Sequence, residues 1–184
     1  MKIFSAFLIV ALTFLAFPHV VKAQENAATV NIAVININQI RNNALAVKSI
    51  GDQINTYRTA FQEEIRKEEE SLRDANQELS RQRTLLSAEA FAEKRREFEQ
   101  RVAQVQQTVQ KRKGNLDRVQ AESMGKVQDA LNKIVSDIAT ARGFSLILRQ
   151  DQTVLASPAL DITAPVLTAL NKDLASVVVS DPSK

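Results

Sequence analysis

Residues 41–84 read RNNALAVKSIGDQINTYRTAFQEEIRKEEESLRDANQELSRQRT. Val47, Ile50, Ile54, Tyr57, Phe61, Ile65, Leu72, Ala75, Leu79 and Leu86 form an apolar stripe whose steps are almost all three or four, with Glu68 in the vacancy between Ile65 and Leu72. That period is helical. The paired steps of four at Tyr57–Phe61–Ile65 break a strict heptad once, which relaxes a supercoil locally. The four prolines are Pro18, Pro158, Pro165 and Pro182. A proline costs about 3 kcal/mol inside a helix, so its absence from 19–157 permits very long helices.

A second stripe runs through Phe91, Phe98, Val102, Val105, Val109, Leu116, Val119, Val127, Ala130 or Leu131, Ile134, Ile138 and Ala141. It predicts a helix from Ser87 or Ala88 to Arg142, closed by Gly143 at the C′ position. Gly114 and Gly125 inside it are expected to mark bends or close approaches. One unbroken helix of about 100 residues would extend roughly 150 Å and carry its flanking segments to opposite ends. A hairpin turning near 84–88, with Ser87 as N-cap, returns them to one place. Each leg then reaches roughly 60–80 Å.

The flanks are β-rich. Val30, Ile32 and Val34 alternate in the run 30–37, which predicts a strand. The polar residues 36–43 follow, with Asn38, Asn42 or Asn43 as candidate caps for the first long helix. Phe144–Leu148 predicts a second strand, Gln150–Gln152 a turn, and Thr153–Ala156 a third strand. Asp161 or Thr163 caps a short helix with Pro165 in its first turn and Val166, Leu167, Leu170 and Leu174 on its buried face. Val177–Val179 fits either a last helical turn or an edge segment, and 180–184 reads as a tail. The fold class is therefore α+β. A small β body, built from 24–43 and 143–184, carries a helical hairpin arm over 44–142.

Residues 1–23 read as a secretory signal peptide. Lys2 precedes an almost wholly apolar run from Ile3 to Phe17, Pro18 breaks it, and Val21-Lys22-Ala23 offers small residues for cleavage after Ala23. The run is short for a membrane anchor, which needs about 20 residues. Cleavage removes His19, the sole histidine, from a chain that has no cysteine. That excludes thiol nucleophiles, imidazole bases, disulfides and the usual zinc sites from the mature chain. Lys2 and Lys22 leave as well, so 22 basic residues face 21 acidic ones and the net charge falls from +3 to +1. Near-neutrality and export both argue against nucleic acid as a partner. Glu63-Glu64 and Glu68-Glu69-Glu70 sit on an exposed helix without a pocket, which argues against an enzyme. No cofactor or metal is called for.

The order of these parts resembles the Skp/OmpH family of periplasmic chaperones. The likeness rests on Ile32-Ala33-Val34-Ile35-Asn36, on Gly143-Phe144-Ser145-Leu146-Ile147-Leu148, and most specifically on Asp161-Ile162-Thr163-Ala164-Pro165-Val166-Leu167-Thr168-Ala169-Leu170-Asn171. The arm matches in composition and length. The resemblance implies a homotrimer with a shared, intersubunit β body. Three coiled-coil tentacles would enclose unfolded outer-membrane proteins in the periplasm without ATP. A body this small is in any case too slight to bury a good core alone.

The contact candidates lie on the arm. Near its end are Arg81, Arg83, Lys94, Arg95 and Arg96, interleaved with Glu78, Glu89, Glu93, Glu97 and Glu99. Lys111, Arg112 and Lys113 form a second basic cluster, either a solvated face or a patch for acidic clients, lipopolysaccharide or an anionic membrane surface. Phe91 and Phe98 sit where the first leg offers few apolar partners, so they are candidates to touch clients. Family members are typically strongly basic, whereas this arm is of mixed charge. The competing reading is a structural or adaptor coiled coil of the cell envelope, assembled through the arm.

Overall fold

The computed structural model describes residues 30–183. The signal-peptide reading of 1–23 and the start at 24–29 lie outside the described residues. Strand β1 (Ile32–Ile35) leads into helix α1 (Ile37–Asn43). Two long helices follow, α2 (Leu45–Gln82) and α3 (Ala88–Arg142), then strand β2 (Leu146–Arg149) and helix α4 (Thr163–Asp173). Two single 3-10 turns, Gln150–Gln152 and Pro158–Leu160, link β2 to α4.

β1 is the centre of the body. It pairs in parallel with β2, with Ile32 opposite Leu146 and Ile35 opposite Arg149. On its other edge Val34 bridges to Asp161, and the Ile162 amide donates to the Val34 carbonyl at 2.9 Å. Parallel neighbours need a long crossover, and here the whole α2–α3 pair supplies it. Asn31 Nδ2 donates to the Arg142 carbonyl at 3.0 Å, tying the last turn of α3 back to β1.

The start differs from the expectation of a polar lead-in. Residues 37–43 form α1, capped by Asn36, whose Oδ1 accepts from the Gln39 amide at 2.8 Å. The candidate caps Asn38, Asn42 and Asn43 therefore lie inside a helix. Ala44 (ψ 130°) breaks the path before α2 and has no side-chain oxygen to cap it. That cap comes from elsewhere: Asn171 Oδ1 of α4 accepts the Leu45 amide at 2.8 Å. The link from α2 to α3 runs over 83–87, and Ser87 Oγ accepts the Ala90 amide at 3.2 Å. At the far end Gly143 sits at φ +66°, the left-handed conformation that suits a C′ glycine.

The third strand expected at Thr153–Ala156 is absent. That segment has no strand partner among the described residues, and Val154 and Leu155 are fully exposed. The turn at Gln150–Gln152 does not fold it back on β2 as a hairpin would. Gly114 and Gly125 are not close approaches either, since a methyl at either would meet nothing within 4 Å.

The core is continuous from the body into the first part of the helix pair. Ala33 and Ile35 of β1 join Ile40 of α1, Ile50 and Ile54 of α2, Val119, Leu131 and Ile134 of α3, and Val166 and Leu170 of α4. Ser123 fills the stripe vacancy between Val119 and Val127, with its hydroxyl donating to the Val119 carbonyl at 2.7 Å. From 55 to 115 no residue is fully buried. The stripe continues there, but a pair of helices alone covers only one side of each apolar residue.

Candidate functional site

The polar members of the 161–171 motif are structural. Asp161 Oδ1 accepts the Thr163 amide at 2.7 Å, and the buried Thr163 hydroxyl accepts the Asn36 amide at 2.8 Å. With Asn171 on Leu45, the motif ties α4 to β1, α1 and α2. It sets the direction in which the long helices leave the body.

Along those helices the sequence candidates separate into groups. Lys94 pairs with Glu97 at 2.7 Å, Arg95 with Glu99 at 3.4 Å and Arg96 with Glu93 at 2.5 Å. Their carboxylates sit one turn away on the same helix, which is favourable i,i+3 and i,i+4 spacing. The hydrogen bond that Lys94 donates to Glu97 raises the Lys94 pKa above its ordinary value. Arg81 lies 3.8 Å from Glu78. Arg83, in the link, is exposed and makes no ion pair among the described residues. The end of the helix pair thus carries cations that are mostly neutralised locally, beside exposed Leu85 and half-exposed Leu86. Phe91 and Phe98 are half-buried, so each shows part of its ring to solvent.

The triplet 111–113 does not act as one patch. Lys111 and Lys113 point to solvent, while Arg112 is half-buried and turned toward α2. It ion-pairs with Glu64, and its guanidinium lies 5.8 Å from the centre of the Phe61 ring. Such a cation–π contact is worth about 0.5–1 kcal/mol where solvent reaches it. Arg101 makes the next crossing, donating to Ser71 Oγ at 2.6 Å and lying 3.4 Å from Glu68. Between these two crossings the helices part. They leave a cleft of about 530 Å³ lined by Phe61, Ile65, Val105 and Val109, with Arg101 and Arg112 at its rim. The sequence stripe predicted these apolar residues but not the gap between them.

A second feature had only a weak signal in the sequence, the run Val177-Val178-Val179. After α4 the chain turns back and lies along the base of α2 and α3. Val177, Val179 and Pro182 are buried and Val178 is exposed. Gln53 Nε2 donates to the Val177 carbonyl at 2.7 Å, and Gln53 Oε1 accepts the Val179 amide at 3.0 Å. From α3, Asn115 Nδ2 donates to the Pro182 carbonyl at 3.0 Å. The segment 177–182, which takes in the start of the expected tail, is thus a docked strap.

Two long helices rooted in a parallel strand pair, with a structural 161–171 motif, define a body-and-arm protein. The sequence pattern of the outer membrane protein (OmpH-like) family matches residues 31–170, and the chain belongs to that family. A similar fold is found in a solved protein of Caulobacter crescentus CB15, named for an outer membrane chaperone role (OmpH-like). The TM-score is 0.76 at 18% identity, over 82% of this chain and 89% of that one. No curated protein matches this chain in sequence.

Proposed function

We propose that this protein is an ATP-independent periplasmic holdase, which keeps unfolded outer-membrane β-barrel proteins from aggregating. The helix pair is the arm and the link at 83–87 its tip. Family membership supports the chaperone role and the periplasmic setting. The observation that carries the mechanism is the arm surface from 55 to 115, where an apolar stripe runs without one fully buried residue. Half-exposed Phe61, Phe91, Phe98, Val102 and Val105 offer many shallow apolar contacts, each worth little alone. Paired charges between them keep the arm soluble. Such contacts hold exposed client strands apart and release them readily.

Enclosure needs several arms. Self-association as a homotrimer through the body is supported by its exposed apolar face, where Leu146, Leu148, Val154, Leu155 and Leu160 cluster in sequence around β2 and the segment after it. Single scattered apolar residues are ordinary, but this many on one small body fit a subunit interface. Lipopolysaccharide or another anionic surface is a secondary partner through Arg83, Lys111 and Lys113. Local pairing at Lys94, Arg95 and Arg96 makes enclosure the stronger grip.

Light scattering of a urea-diluted porin tests the reading. Suppressed aggregation at a few-fold molar excess is expected; unchanged aggregation refutes it. Deleting 60–115 separates it from an adaptor coiled coil. Under the holdase reading the assembly survives and protection falls, whereas an assembly built through the arm would fall apart.

A further inference from the structure

We infer that the groove at the base of the helix pair is a binding site for extended peptide segments, read through their main chain, and that Val177–Pro182 occupies it in cis. The identification of its incoming occupant as a β-strand segment of an unfolded client rests on the holdase reading above.

The geometry is that of strand addition made by side chains. One amide, Gln53, accepts an N–H and donates to a carbonyl two residues apart, at 3.0 and 2.7 Å. A neighbouring strand would satisfy the same pair of groups in the same way. Residues 177 and 179 are buried while 178 is 79% exposed, the alternation of an extended segment on an apolar floor. Asn115 then takes a third main-chain group, the Pro182 carbonyl. All three bonds go to backbone atoms, so the site selects conformation and apolar residues two apart rather than a sequence.

The groove does not end with the strap. Beside 181–183 a cavity of about 140 Å³ opens between Tyr57, Phe61 and Leu116, and it shares Phe61, Glu64 and Arg112 with the larger cleft of about 530 Å³. An extended segment longer than the strap therefore meets a second apolar cleft just beyond the Arg112–Glu64 crossing. Transmembrane β-strands alternate apolar and polar residues over about ten positions, which is the pattern this floor accepts. A tethered strap competes at an effective concentration in the millimolar range. A free peptide is largely excluded, whereas a client held among the arms presents many such segments at comparable local concentration.

The test uses the full mature chain and two variants. Val177→Asp with Val179→Asp places carboxylates in the apolar floor and ejects the strap; Val178→Asp, on the exposed side, leaves it seated. The probe is a fluorescein-labelled peptide of residues 175–184, with an unrelated octapeptide alternating valine and threonine. We expect the strap-ejected chain to bind both at least ten-fold more tightly than the intact chain or Val178→Asp. N-methylation of the peptide nitrogen equivalent to Val179 should weaken binding roughly three- to ten-fold, the loss of one main-chain hydrogen bond. Adding Gln53→Ala should abolish that difference. If the double aspartate variant loses its helical circular dichroism, Val177→Ser with Val179→Ser replaces it.

No peptide binding by the strap-ejected chain, or binding of its own segment alone, overturns the inference. So does peptide binding that excess peptide cannot turn into reduced porin protection by the strap-ejected chain; the holdase reading then stands. If the intact chain never protects porin, the holdase reading falls alone. The peptide titration still decides whether the groove is a site for extended segments.

Discussion

Asn171 caps a helix that begins 126 residues earlier: its Oδ1 accepts the Leu45 amide at 2.8 Å, at the point where Ala44 offers no cap of its own. The last polar residue of the 161–171 motif thus holds the root of the arm. Asn171→Ala should destabilise the protein by about 1 kcal/mol, as loss of a cap does. A domain of this size should then melt roughly 2–4 °C lower. Asn171→Asp keeps the acceptor and should melt near the parent temperature.

The three glycines of α3 and its end should respond in opposite directions. Gly114 and Gly125 are helical with open space around the missing methyl. Alanine at either should stabilise the protein by about 0.5–1 kcal/mol. Gly143 is at φ +66°, so alanine there should cost about 1–2 kcal/mol. Urea melts of the three variants check both signs.

Core and arm should separate stability from holding. Ile50 and Leu131 are each 2% exposed, and alanine at either should cost about 2–5 kcal/mol. Phe98 is only half-buried, so Phe98→Ala should cost less than these while lowering protection of a urea-diluted porin. Equal loss of stability at Phe98 and Leu131 would contradict the proposed division.

The exposed face of the body should govern assembly. Val154→Glu with Leu155→Glu adds charge where neither side chain is covered within one chain, so monomer folding should persist. Sedimentation should show the assembly shifting to monomer. An unchanged sedimentation coefficient would remove this face from the interface.

Stability and holding should vary little between about pH 6 and 9. No histidine lies among the described residues and the chain has no cysteine. Lys94, held by Glu97, and Lys133, held by Asp137, both have pKa values raised above 10.5. A raised pKa on a cation means that the pairing is complete below 10.5 and is lost as pH rises through the higher folded value. Above about pH 6, helical circular dichroism should therefore decline only on that alkaline side.

Much of this was legible in one dimension. Steps of three and four without proline mark α2 and α3, Ser87 and Gly143 mark helix ends, and alternation marks β1. All are local, because helix period, caps and left-handed glycines depend on residues a few positions apart. Local reading failed where one element completes another. Asn36 capping α1 was hidden because residues 36–43 look like a polar loop, and Thr153–Ala156 looks like a strand yet finds no partner among the described residues. Arg112 read as part of a charge run, but only the neighbouring helix could turn it onto Phe61 and Glu64.

The sequence by itself determined that the chain builds long helices on a small β body, since propensity and periodicity act within single segments. Tertiary structure decided what those helices have to offer: a buried root up to Ile54 and Leu116, a half-open surface beyond, and a strap pinned by Gln53 and Asn115. These depend on the separation of two helices and on side chains meeting across more than sixty residues. Such distances are set by packing, which no local pattern encodes.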